Sequence, residues 1–265
     1  MNTQAINTLR LMSLSTELLA TGHTRGTCMN YVSDVVPSLL SVNQVSAPSI
    51  DLILTLSMSI DHLTDDTAIQ SPRLGYPIQH YLAASNAFVL DLQDTSWAQA
   101  FEVANGYLSC TDMQRVLVVE ANSFAQPVAS QLFNGARAAL LDKAAVETSC
   151  MMVNKELPLE QMRTLVLTDD KGFALSEADE HESMLLCESI IQMVKQSSVA
   201  MPVVLDLPLY LQEGVYSHLQ SALPQMQWLL WESLGSNQAS NVLWVSYEVF
   251  RKRVVARELL IKDEL

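Results

Sequence analysis

Apolar residues along the first half of the chain alternate between helical spacing and compact aliphatic runs. Met29, Val32, Val35, Val36, Leu39 and Leu40 lie at helical intervals, so residues 28–43 are predicted to form a helix that Pro37 kinks or shortens. After Pro48, the run Ile50-Asp51-Leu52-Ile53-Leu54-Thr55-Leu56 suits a strand buried on both faces. Residues 61–82, punctuated by Pro72, Gly75 and Pro77, are expected to form a loop and a short helix. The run Ala87–Leu92 is a second strand. It leads into a helix over Thr95–Leu108, where Ala98, Phe101, Val103, Ala104 and Leu108 make most of the surface apolar. Arg115–Glu120 and Ala136–Leu141 supply a third and a fourth strand.

The second half repeats this theme more loosely. Strands are predicted at Arg163–Thr168, Val203–Leu207 and Gln227–Trp231, and helices at Glu180–Lys195 and Tyr210–Ala222. Val242–Val249 and Val254–Ile261 form a hairpin turned at Phe250-Arg251-Lys252-Arg253, and the acidic stretch Asp169–Glu182 is an exposed loop. Alternation of this kind predicts an α/β fold with a largely parallel sheet. Two similar α/β halves, residues 1–142 and 143–265, are expected to form one compact unit.

Composition narrows the function. With 49% apolar and 17% charged residues the chain is globular, and a net charge of -14 argues against nucleic acid or an anionic membrane as partner. No apolar run approaches the ~18 residues of a membrane span. Met1–Thr21 carries one arginine, and Asn7, Ser13, Ser15 and Glu17 break its apolar positions, so no signal peptide is expected. The final Lys262-Asp263-Glu264-Leu265 then spells an ER-retention signal by coincidence, and a cytoplasmic protein is expected. Cys28, Cys110, Cys150 and Cys187 stand far apart without flanking histidines, which predicts buried thiols rather than zinc or disulfides. The twelve methionines suit core filling rather than a metal box, so neither metal nor cofactor is expected. Glycine is scarce, at eight in 265 residues. That is less than half the usual ~7%, and chemistry that depends on glycine-rich loops would have to be eroded here.

Several segments, taken in order, resemble the thiolase-fold ketosynthases of the FabH type. Ile50–Leu54 with Ser57–His62 is similar to a strand and loop of that family, and Val89–Ser96 to the strand that ends at its nucleophilic cysteine. Val116–Glu120 and Leu132–Ala138 resemble two further family segments, and the C-terminal hairpin lies where the family has a glycine-rich strand. The resemblance implies a thiolase-like layered fold, truncated in its C-terminal half. A narrower likeness rests on Ser57–Leu63, Ser71–Gln79, Asp91–Ser96 and Pro224–Trp228. It points to the non-catalytic subunits of heterodimeric condensing enzymes in 2-alkyl-4-quinolone biosynthesis, a secondary metabolism that yields quorum-sensing signals. That likeness implies a ketosynthase-like partner with an active-site cysteine, whose substrates are an acyl-thioester and an aromatic β-keto acid.

Ketosynthase chemistry needs a thiolate at a helix start, a histidine pair that polarises a thioester, and an oxyanion hole of backbone amides. The resemblance puts Ser96, followed by the bulky Trp97, at the nucleophile position and Leu209 at the family histidine. Leu234-Gly235-Ser236-Asn237 runs almost directly into the final hairpin, so a helix is missing, and Ser246-Tyr247-Glu248-Val249-Phe250 replaces the oxyanion glycines. No catalytic residue is therefore expected. Two other readings stay open. One is a stand-alone serine-dependent acyltransferase using Ser96, with a histidine drawn from His23, His62, His80, His181 or His218; the other is a homodimeric protein that binds an acyl or aromatic acid. The family pairs its subunits through the strand before the nucleophile and the adjoining loop. Ala87, Phe88, Val89 and Leu90, with Asp61, His62 and Tyr76, are accordingly the interface candidates.

Overall fold

The structure, a computed structural model, describes residues 6–18, 28–57, 74–92, 95–124, 131–148, 152–161, 163–167, 173–197, 201–231 and 241–261. Its strands fall into two sets with the same internal plan. In the first, β3 (Phe88–Asp91) pairs with β2 (Leu52–Thr55), β2 with β4 (Arg115–Asn122), β4 with β5 (Gly135–Thr148) and β5 with β1 (Ile6–Leu18). In the second, β10 (Trp228–Leu230) pairs with β9 (Val203–Asp206), β9 with β11 (Asn241–Glu248), β11 with β12 (Arg253–Ile261) and β12 with β6 (Met152–Glu156). The first two pairings of each set are parallel and the last two antiparallel. A parallel pairing of β1 with β12 joins the sets into one ten-stranded sheet.

The sheet is therefore mixed, not largely parallel as the alternation suggested. Among the described residues no α-helix lies between β4 and β5, and β11 and β12 are joined only by the short 3-10 helix Val249–Arg251; without a crossover helix a strand returns antiparallel to its predecessor. Strand β1 had no counterpart in the predicted elements. It lies between β5 and β12, so backbone pairing on both edges defines it rather than an apolar pattern of its own. Two short strands, β7 (Leu165–Leu167) and β8 (Phe173–Leu175), form a separate antiparallel pair where an open loop was expected to begin at Asp169. The boundary drawn between residues 142 and 143 falls inside β5.

Five α-helices among the described residues complete the layers. Helix α1 (Cys28–Val42) contains Pro37 yet continues beyond it, with Val35, Val36, Leu39 and Leu40 buried on either side of the proline. Together with α2 (Gly75–Tyr81), it packs on Ile53, Leu117, Val119 and Leu140, the outer face of the first set. On the far side, α4 (Glu182–Gln196) and α5 (Leu209–Ala222) cover Val203, Leu205, Leu243 and Val245. Between the two sets lies α3 (Trp97–Cys110), packed against Leu52, Leu54, Val116 and Val118 from one and Val204, Val242, Trp244 and Val255 from the other. Alternate residues of each strand thus enter different cores, which is why those strands are apolar on both faces. Among the described residues helix α3 has no equal in the second set. Ten residues, 231–240, separate β10 from β11, too few for a 14-residue helix and its connections. No helix among the described residues is long and apolar enough to cross a membrane.

Candidate functional site

Helix α3 starts at Trp97 because Ser96, in an extended conformation, caps it: the Ser96 hydroxyl accepts from the Gln99 amide at 3.3 Å. The same hydroxyl donates to Glu248 Oε1 at 2.8 Å, and the Ser96 amide reaches that oxygen at 3.3 Å. Glu248 closes β11 and is nearly inaccessible to solvent, and its second oxygen accepts from Arg253 Nε at 2.6 Å. Two residues on, the Ala98 amide donates to Ser246 Oγ at 3.1 Å, and Ser246 donates in turn to Asp206 Oδ2 at 2.8 Å. Three amides of the first turn are therefore committed to side chains of this chain.

A charged network continues from Asp206. Its Oδ1 lies 3.3 Å from Arg137, whose guanidinium also meets Glu120 Oε2 at 2.9 Å. Glu120 accepts from the Trp97 indole at 2.6 Å and from the Asn122 amide at 3.0 Å. Burial pushes the Glu120 carboxyl above the usual carboxylate range, and Asp206 adds to the rise; Arg137 and the two hydrogen bonds from Trp97 and Arg137 only partly oppose it. The Arg137 guanidinium stacks 3.8 Å above the Phe133 ring and 4.9 Å from that of Trp231. Behind it, the Trp97 and Trp231 centroids are 4.5 Å apart, and Trp244 packs edge-on at 5.0 Å from both Trp231 and Phe101. Indole rings thus occupy the space between the two strand sets.

The cavity left at the start of α3 has a volume of about 80 Å³ and is bounded by Ser96, Glu120, Asp206, Pro208, Glu248 and Phe250, among others. Small-molecule sites usually offer ~300–1,000 Å³, well above this volume. No histidine among the described residues lines this cavity. Leu209, the position matched to the family histidine, opens α5 directly after the lining residues Leu207 and Pro208. Among the described residues, His80 belongs to α2, His181 precedes α4 and His218 lies in α5; His23 and His62 fall outside the described residues. No group of three or more described His, Cys, Asp or Glu residues is placed to hold a metal ion.

The interface candidates lie elsewhere, at one end of the sheet. Strand β3 pairs only with β2 among the described strands and so stands last in the described strand order. Phe88 is 65% exposed, Val89 and Leu90 are half-buried, and Ala87 is buried. Tyr76 and Tyr81 of α2 are 57% and 48% exposed, which puts three large exposed apolar side chains within one short stretch. Helix α2 is held to β3 by Asp91, whose Oδ1 accepts from the Gly75 amide at 2.8 Å and from the Thr55 hydroxyl at 2.6 Å. The approach is so close that a Cβ on Gly75 would stand 2.2 Å from Val89 Cγ1. Asp61 and His62 lie outside the described residues.

Sequence reasoning missed Glu120, Arg137, Asp206 and Glu248 as a group. The available signal was a charged residue inside or ending an aliphatic strand run, as in Val116–Glu120, Ala136-Arg137-Ala138 and Val203–Asp206. Such a residue is seldom buried without partners.

No family model matches the chain. A 95-residue stretch is 37% identical to the 2-heptyl-4(1H)-quinolone synthase subunit PqsB of Pseudomonas aeruginosa, covering 36% of this chain and 34% of that protein. The match spans about a third of that relative's length. The whole fold superposes on the priming β-ketosynthase of the R1128 polyketide pathway with a TM-score of 0.67 and 13% identity, over 99% of both chains. It also superposes on 3-oxoacyl-[acyl-carrier-protein] synthase III of Aquifex aeolicus, with a TM-score of 0.61 and 12% identity over 98% of this chain and 100% of the other. The fold is that of the thiolase-like ketosynthases. The α/β class and the FabH-type likeness expected from the sequence hold.

Proposed function

We propose that the chain is a catalytically inactive subunit of a heterodimeric, ketosynthase-like condensing enzyme of 2-alkyl-4-quinolone-type biosynthesis, acting in the cytoplasm. Its role is to stabilise a cysteine-bearing partner and shape that partner's channel for an acyl-thioester and an aromatic β-keto acid. The observation that carries this reading is the state of the Ser96 hydroxyl. It is tied to Glu248, and no described imidazole lines the cavity. A serine capping a helix and paired with a carboxylate, with no described histidine beside it, supports a structural role over acyl transfer. The partial likeness to PqsB supports the heterodimer.

The β3 edge supports the pairing role. The last strand in the described order can offer backbone hydrogen bonds to a partner, and the exposed Phe88, Tyr76 and Tyr81 beside it offer apolar area. Covering Phe88 alone is worth about 2 kcal/mol by area. The test is co-expression with a ketosynthase-like chain that carries an intact cysteine. The expected result is a stable complex in which turnover depends on the partner's cysteine and is lost when this chain is omitted. Condensation by this chain alone, or its failure to bind the partner, would overturn the proposal.

A further inference from the structure

The cavity at the start of α3 carries an imbalance of charge that its hydrogen bonds do not remove. Three carboxylates border it: Glu120 from β4, Asp206 from β9 and Glu248 from β11. Glu248 is neutralised by Arg253 of β12. Glu120 and Asp206 are left to share the single guanidinium of Arg137, from β5. The other groups facing Glu120 are neutral: the Trp97 indole of α3 and the Asn122 amide of β4. Ser246 of β11 donates to Asp206, and Tyr247, also on the wall, is held by Glu182. With every carboxylate ionised, one negative charge is surplus in a site where Glu120 and Arg137 are both buried. Such a charge is costly unless water or a proton reaches it.

We propose that Glu120 is a proton-operated latch on the seam between the two strand sets, closed when it carries a proton and loosened when it ionises. The geometry suits that role because Arg137 bridges the sets: Glu120 belongs to the first and Asp206 to the second. A proton on Glu120 Oε1 removes the surplus charge and leaves Oε2 to accept from Trp97 and Arg137. The Asn122 carboxamide, turned over, accepts a hydrogen bond from that proton on its oxygen. Loss of the proton restores two carboxylates competing for one guanidinium and draws water to the indoles of Trp97 and Trp231. Burial holds Glu120 protonated beyond the usual range, so stability from this group is full below the unfolded carboxyl's titration and falls as pH rises through the folded one.

The experiment compares the full chain with Glu120→Gln from pH 4 to pH 9, by urea unfolding and by tryptophan emission. The ratio of unfolding constants, wild type over variant, should rise by up to tenfold per pH unit above pH ~4.5 and then level off. Wild-type emission should shift to the red over the same range while the variant's stays flat. A ratio independent of pH, or a red shift that persists in the variant, would overturn the latch. Asp206→Asn keeps the idea open to refutation if Glu120→Gln does not fold. With Asp206 neutral, Arg137 serves Glu120 alone and the red shift must move to lower pH; no movement would also refute it.

Discussion

Replacing Ser96 with alanine separates a structural serine from a reactive one. The substitution deletes one oxygen that does two jobs: it caps α3 through the Gln99 amide at 3.3 Å and donates to Glu248 Oε1 at 2.8 Å. Loss of an N-cap costs about 0.5–2 kcal/mol, and a hydrogen bond to a charged group contributes about 1.5–3 kcal/mol. Both losses fall on the same atom, and Glu248 keeps the Ser96 amide and Arg253 as partners, so the two figures do not add. A net loss of about 2 kcal/mol follows, equivalent to a fall in melting temperature of roughly 4–8 °C for a chain of this size. Chemical denaturation of the purified chain measures that loss, and turnover of the co-expressed complex is measured on the same preparation. Stability should fall while turnover per assembled complex stays within about twofold of wild type. A collapse of turnover by orders of magnitude with stability unchanged would mean that Ser96 performs chemistry, and the inactive-subunit reading would fail.

Other substitutions probe the second site and its support. Gly75→Ala should destabilise the chain by about 1–3 kcal/mol, because Val89 is β-branched and cannot swing its Cγ1 aside cheaply. Adding Val89→Ala should recover most of that loss in a double-mutant cycle; no recovery would show that the clash lies elsewhere. Phe88→Glu should leave the melting temperature of the isolated chain nearly unchanged, since the side chain is 65% exposed. The same variant should abolish co-purification with the catalytic partner, and intact co-purification would remove β3 from the interface. Trp97→Ala should cost about 3–5 kcal/mol, as it deletes a buried ring that touches Phe101 and Trp231 and removes the indole donor to Glu120. Calorimetry that shows a loss below 1 kcal/mol would contradict the packing described around α3.

The limits of prediction were set by which interactions are local. Helices α1, α3, α4 and α5 and strands β2, β4, β9 and β11 were legible because each carries its own apolar period, as Val32, Val35, Val36 and Leu39 do in α1. Strand β1 was not, since its pairing with β5 and β12 comes from residues more than a hundred positions away. Nor was the mixed sheet, because the direction in which a strand is paired depends on neighbours that its own pattern does not name.

Taken alone, the amino-acid order determined the α/β class, the ketosynthase likeness and the serine and leucine at two positions where that likeness implies reactive groups. Those properties are written in periodicity, in residue identity and in the scarcity of glycine. Only the tertiary structure decided that Ser96 is held by Glu248 from 152 positions away, that Arg137 is shared by two carboxylates, and that indole rings fill the space behind them. A hydrogen bond or an ion pair stabilises a buried group only when folding brings its partner within about 3 Å, and no pattern along the chain records that distance.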